Sequence, residues 1–162
     1  MQRLREGLRC SPTDALRFLG ADLAAGRHFD VLLIDWRMTP MDGIATLEAF
    51  RSLAGKPLPP SILVTANDDP SLRQLARAAG FDAVLMKPIT ASSLNEMLLR
   101  VLRRTQPVAA PLRRIVEAGH AEGELRLRHA GRRVLLAEDN VINQEVASAL
   151  LDVVGLLVDT AD

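Results

Sequence analysis

The feature that most restricts the fold of this chain is a series of short, unbroken apolar runs. Val31-Leu32-Leu33-Ile34 is the clearest. Ile62-Leu63-Val64, Ala83-Val84-Leu85-Met86, Val134-Leu135-Leu136-Ala137 and Leu156-Leu157-Val158 follow it. None of them alternates apolar with polar residues. A strand with one wet face alternates, whereas a strand covered on both faces reads as a continuous apolar run, the pattern of parallel sheets.

Helix-period segments lie between these runs. Ser11-Pro12 offers an N-cap followed by proline at the first helical position, and Leu16, Leu19 and Leu23 supply a stripe. Asp69-Pro70 opens a second helix carrying Leu72, Leu75, Ala76 and Ala79, which Gly80 ends. Leu94, Met97, Leu98, Val101 and Leu102 form another stripe, and Val146, Leu150, Leu151 and Val154 a further one that stops at Gly155. Strand–helix alternation of this kind predicts an α/β fold with a doubly wound parallel sheet.

Composition narrows the function. The 162 residues are 48% hydrophobic and 25% charged, as in an ordinary soluble domain. With 3% aromatic residues and no Tyr, the core must be Leu, Val, Ile and Ala. Twenty basic residues balance twenty acidic ones, which argues against a general nucleic-acid binder, since such proteins carry a basic excess. A single cysteine, Cys10, excludes an internal disulfide and any multi-cysteine metal site, and is compatible with a reducing compartment. No apolar run approaches the roughly 20 residues of a membrane span. The charged start Met1-Gln2-Arg3-Leu4-Arg5 lacks the apolar segment of a signal peptide.

In an open α/β sheet, ligands bind beyond the carboxyl ends of the strands. Here those ends are Asp35, Thr65, Lys87-Pro88 and Glu138-Asp139. Three carboxylates, a hydroxyl and an ammonium therefore converge on one rim. Clustered carboxylates repel one another and call for a cation, and oxygen-only ligands suit Mg²⁺. A carboxylate beside such a cation can attack a phosphoryl group and form an acyl phosphate. Lys and Thr can hold the phosphoryl oxygens in the transition state. Any one of these residues alone would read as an ordinary cap or strand residue; their succession at strand ends is the signal. No Gly-rich phosphate loop, nucleophile elbow or cysteine–histidine pair points to an independent enzyme of another class.

The segment Leu32-Leu33-Ile34-Asp35-Trp36-Arg37-Met38-Thr39-Pro40-Met41-Asp42-Gly43 resembles the phosphoacceptor loop of response-regulator receiver domains in two-component signalling. Val64-Thr65-Ala66 and Met86-Lys87-Pro88 match that family's next two motifs. Val134-Leu135-Leu136-Ala137-Glu138-Asp139-Asn140 with Asn143-Gln144-Glu145-Val146 resembles the opening of a second receiver, as in hybrid histidine kinases with tandem receivers. The resemblance implies a flavodoxin-like five-stranded sheet of order 2-1-3-4-5. It implies that Asp35 accepts phosphate from a phosphohistidine and that Thr65 and Lys87 bind the phosphoryl group. It also implies a cis Lys87-Pro88 bond. Asp139 and Asp35 would bind Mg²⁺, with Glu138 acting mainly through water and the Arg37 carbonyl completing the set.

On this reading residues 1–104 are a receiver lacking its first strand, and 105–132 are a linker whose Leu112–Arg132 stretch is either partly helical or mobile and whose charges form a solvated face. Residues 133–162 supply the first strand, first helix and second strand of a following receiver. Without them the Val31 strand would expose an apolar edge. The expectation is therefore a sheet completed by the Val134 segment, either in cis as a circular permutation or in trans as a swapped dimer. Leu156-Leu157-Val158 is favoured over Gly7-Leu8-Arg9-Cys10 as the edge strand. Implied partners are a histidine kinase or histidine phosphotransfer domain, in a cytoplasmic setting, with kinase activity and any membrane anchor in the parent chain. The alternative is a pseudo-receiver that only binds or dimerises.

Some residues depart from the family pattern or read as ordinary. Thr39 separates Met38 from Pro40, and Val84 stands where an aromatic residue usually reports phosphorylation. His28, His120 and His129 read as surface or linker residues. Trp36 reads as partly buried, and Cys10 as a small apolar packing residue.

Overall fold

A computed structural model of the chain describes residues 12–55, 57–104 and 120–160. Eleven elements alternate along them. The first half contains α1 (Pro12–Ala24), β1 (Val31–Asp35), α2 (Gly43–Ala54), β2 (Ser61–Thr65), α3 (Pro70–Ala79), β3 (Ala83–Met86) and α4 (Ala91–Arg104). The second half contains α5 (His120–Arg128), β4 (Arg133–Ala137), α6 (Val141–Val153) and β5 (Leu157–Thr160).

The strands form one parallel sheet of order β3-β2-β1-β4-β5. β4 lies against β1, with Leu32 opposite Leu135 and Ile34 opposite Ala137. The late strand thus fills the slot beside β1 within the same chain, and β5 forms the outer edge. Gly7–Cys10, the competing edge segment, lies outside the described residues, as does Ser11.

β1 is buried along its whole length because both sheet faces are covered. Val31 and Leu33 face a core with Leu94, Leu98, Leu102, Leu125 and Leu151, from α4, α5 and α6. Leu32 and Ile34 face Leu19, Leu47, Phe50 and Leu72, from α1, α2 and α3. Truncating such a residue, Leu33→Ala for example, costs about 2–5 kcal/mol.

The helix starts follow local chemistry. Asp42 caps α2 by accepting from the Ala45 N–H at 2.8 Å, Asp69 caps α3 with Pro70 behind it, and Asn140 caps α6. Gly80 takes φ +86° at the end of α3, where a side chain would be strained. Two helix faces differ from their sequence stripes. Leu75 and Val146 are about half exposed, and the buried faces run through Leu72 and Ala76 on α3 and through Ala147 and Leu151 on α6, continued by Val154 just past its end.

Residues 105–119 of the expected linker lie outside the described residues, and His120–Arg128 form a helix. α5 keeps Glu122, Arg126 and Arg128 outward but inserts Ala121 and Leu125 into the core. Its Glu124 pairs with Arg103 of α4, and Arg126 Nε donates to the Val153 carbonyl at the end of α6. This packing draws His129 inside as well, contrary to a surface reading: it is 1% exposed, and its N–H donates to the Leu125 carbonyl at 2.8 Å. Burial, reinforced by Arg132, lowers its pKa. His28 is exposed as expected.

A charged cluster ties the two halves at the opposite end of the strands from the acidic rim. Arg132 reaches Asp30 at 2.9 Å, the Arg133 N–H donates to Asp30, and the Arg133 guanidinium meets Asp22 at 2.7 Å and Asp159 of β5. It also lies 4.5 Å over the Phe29 ring, a cation–π contact. Among the described residues, no helix is long and apolar enough to cross a membrane.

Candidate functional site

Four of the five strands each deliver one part of the site. Asp35 closes β1, Thr65 closes β2, Lys87 follows β3, and Glu138 and Asp139 follow β4. Because the strands are parallel and adjacent, these ends meet at a cavity of about 220 Å³. Trp36, Arg37 and Asn143 also line it. All five residues singled out at the strand ends are therefore brought together, with the Arg37 backbone beside them.

Lys87 is the central cation. Its Nζ donates to Asp35 Oδ1 at 2.8 Å and to Glu138 Oε2 at 2.8 Å. The Lys87 N–H donates to the Thr65 carbonyl at 2.7 Å, which holds the start of the loop against β2. The Lys87–Pro88 bond is cis, as the resemblance implies, and the Thr39–Pro40 bond is cis too. Thr65 is buried, and its Oγ1 accepts the Asn67 N–H at 3.0 Å.

Asp35 is 5% exposed, and its Oδ2 accepts the Arg37 N–H at 3.2 Å. Burial raises its pKa; Lys87 opposes that rise, and Glu138 and Asp139 add to it. For Lys87, burial disfavours the charge, but the two carboxylates outweigh it and the pKa rises. The site therefore holds a firmly charged ammonium among carboxylates that crowd one another.

Carboxylate oxygens of Asp35, Glu138 and Asp139 all lie within 4.8 Å of one another. Glu138 is nearly fully buried and already partnered by Lys87, Asn140 and Asn143. Among the described residues, no hydrogen-bond donor reaches the partly exposed Asp139 carboxylate. One free carboxylate beside a half-satisfied Asp35 is an oxygen-only donor set that fits a small divalent cation.

Two local features escaped the strand-end reading. Gly43, at the start of α2, donates its N–H to the Trp36 carbonyl at 3.0 Å, and a Cβ there would lie 2.6 Å from the Asp35 carbonyl oxygen. Its presence in the acceptor-loop segment was visible, but the close approach was not. Asn143 donates to Glu138 Oε1 at 3.2 Å, a contact that helix spacing from Asn140 could have suggested.

A parallel sheet with this collection of strand-end groups defines the receiver class of two-component signal transduction. The family profile of the response regulator receiver domain matches residues 10–99, more than half of the chain, and the chain belongs to that family. The chain is 30% identical over 105 residues to ethylene receptor 2 of Oryza sativa, covering 62% of this chain and 14% of the relative. It is 36% identical over 101 residues to the transcriptional regulatory protein ZraR of Salmonella typhimurium, covering 60% and 22%. It is 32% identical over 117 residues to the signal transduction histidine-protein kinase BarA of Escherichia coli, covering 68% and 13%. The chain thus spans less than a quarter of the length of these relatives. Among solved structures, the chemotaxis protein CheY4 of Vibrio cholerae matches at 28% identity and TM-score 0.45, over 54% of this chain and 72% of that one. A Francisella response regulator receiver domain matches at 28% identity and TM-score 0.45, over 59% and 74%.

Proposed function

We propose that this chain takes up a phosphoryl group on Asp35 from a phosphohistidine donor. The observation that carries the reading is the placement of Lys87 between Asp35 and Glu138, with Asp139 beside them. An Asp35 carboxylate oxygen bonds to phosphorus as the bond from phosphorus to the imidazole nitrogen breaks, and the imidazole leaves with its electron pair and is protonated. Lys87 Nζ then follows the negative charge onto a phosphoryl oxygen. Thr65 Oγ1 is the second donor for those oxygens, exchanging its present contact with the Asn67 N–H.

Asp139 and Asp35 are the residues that would hold Mg²⁺, with the Arg37 carbonyl as a further ligand and Glu138 acting through water. Mg²⁺ bound there would supply charge neutralisation for the incoming phosphoryl oxygens.

The pairing of β4 with β1 in one chain supports a composite module, in which residues 1–104 are the back of one receiver and residues 133–162 the front of a second, whose acidic pair completes the pocket in cis. By analogy with the histidine-kinase relative, the donor is a histidine kinase or phosphotransfer domain, and the parent chain is a hybrid kinase.

Incubation of the full chain with acetyl phosphate and Mg²⁺, read by intact mass, tests the reading. One phosphoryl adduct is expected in the wild type and none in Asp35→Asn. Absence of an adduct in the wild type, with Mg²⁺ still quenching Trp36, would favour a pseudo-receiver instead.

A further inference from the structure

The first turn of α6 grips Glu138 from several directions. The Asn140 N–H and Asn143 Nδ2 both donate to Glu138 Oε1 at 3.2 Å, and Gln144 Nε2 donates to the Glu138 carbonyl at 3.0 Å. A carboxylate only accepts, so the Asn143 amide must present its nitrogen here. The turn itself is closed by Asn140 Oδ1, which accepts the Ile142 and Asn143 N–H groups. Glu138 Oε2 is left for Lys87 alone.

We propose that Asn143 is a positioning residue for the pocket, acting through Glu138. The inference rests on the phosphoacceptor reading above. Asn143 holds Oε1 so that Oε2 faces Lys87 and Asp139 alone offers a free carboxylate to the cation. Without the amide, one backbone N–H retains Oε1. Glu138 then turns toward the cation beside Asp139 and draws Lys87 away from Asp35. Cation binding tightens while phosphoryl uptake slows. A residue that merely props the start of α6 would do the reverse to the cation, because its loss would shift Asp139 and weaken binding.

The test is a double-mutant cycle on the full chain, with Asn143→Ala, Glu138→Ala, both together, and Asn143→Gln as the variant that keeps an amide donor. Mg²⁺ affinity is read from Trp36, which lines the cavity, and uptake from acetyl phosphate is read at saturating Mg²⁺. Asn143→Ala alone should slow uptake about tenfold, as loss of outer-sphere partners does, and lower the Mg²⁺ dissociation constant about threefold. In the Glu138→Ala background neither quantity should move further, and Asn143→Gln should recover most of the uptake rate. Equal effects in both backgrounds, or an unchanged or raised dissociation constant, would overturn the inference. If the wild type takes up no phosphoryl group, the phosphoacceptor reading fails by itself, and the Mg²⁺ arm still decides the role of Asn143.

Discussion

Lys87 Nζ lies 2.8 Å from Asp35 Oδ1 and 2.8 Å from Glu138 Oε2, joining the end of β1 to the end of β4 across the pocket. The two carboxylates come from opposite halves of the chain, so the ammonium is a bond between the halves as well as the proposed phosphoryl-oxygen donor. Lys87→Met removes the donor that follows charge onto the phosphoryl group. Uptake from acetyl phosphate should fall about 100-fold, the scale of losing one such donor. Mg²⁺ should bind more tightly, since a competing positive charge is gone. Stopped intact-mass measurements and a Trp36 titration check both.

Asp35 titrates above its ordinary value of 3.8, with burial as the leading cause. Between 3.8 and the raised value the folded chain holds more protons than the unfolded one. Stability therefore falls as pH rises through that window and stays lower above it. At pH 7 Asp35→Asn should melt at a higher temperature than the wild type, and the gain should shrink on acidification to below 3.8. Thermal melts of the two proteins across pH, without Mg²⁺, test the sign.

Gly43 has no room for a methyl group. A Cβ would sit 2.6 Å from the Asp35 carbonyl oxygen and 2.8 Å from Leu63 Cδ1. Gly43→Ala should cost about 1–3 kcal/mol in denaturant unfolding, the range for overpacking. It should also slow uptake, since the backbone that must yield is that of Asp35, the proposed acceptor.

At the other end of the sheet, Asp22 is buried between Arg27 and Arg133. Burial opposes its charge, but the two guanidinium groups outweigh it and lower its pKa below 3.8. Its contribution to stability is present above 3.8 and is lost as pH falls through the lowered value. Asp22→Asn should destabilise the chain by about 2 kcal/mol at pH 7. That lies below the range for a fully buried pair, because Arg27 is more than half exposed. Unfolding curves for the two proteins should converge in strong acid.

The strands were legible because burial on both faces leaves unbroken apolar runs, with Val31–Ile34 the clearest. Their polar end residues, Asp35, Thr65, Lys87, Glu138 and Asp139, were legible for the same reason: they terminate those runs. α5 was legible only as one option for its stretch, because among its described residues the buried anchors are Ala121 and Leu125, set among many charges and packed against residues of α4 and α6 that are distant in sequence. Leu75 and Val146 misled in the other direction, as apolar residues on exposed helix faces. The Asn143–Glu138 bond and the Gly43–Asp35 contact require distances between segments that spacing along a chain does not carry.

The central claim is that both ends of one chain assemble one working pocket. Its most direct measurement is intact mass after acetyl phosphate and Mg²⁺, on the wild type, Asp35→Asn, Asp139→Asn and the two variants refolded together. Closure in cis predicts a single adduct on the wild type and none on either variant or their mixture. An adduct that appears only when the two variants are refolded together would contradict it, because the acidic pair would then be reaching Asp35 from a second chain.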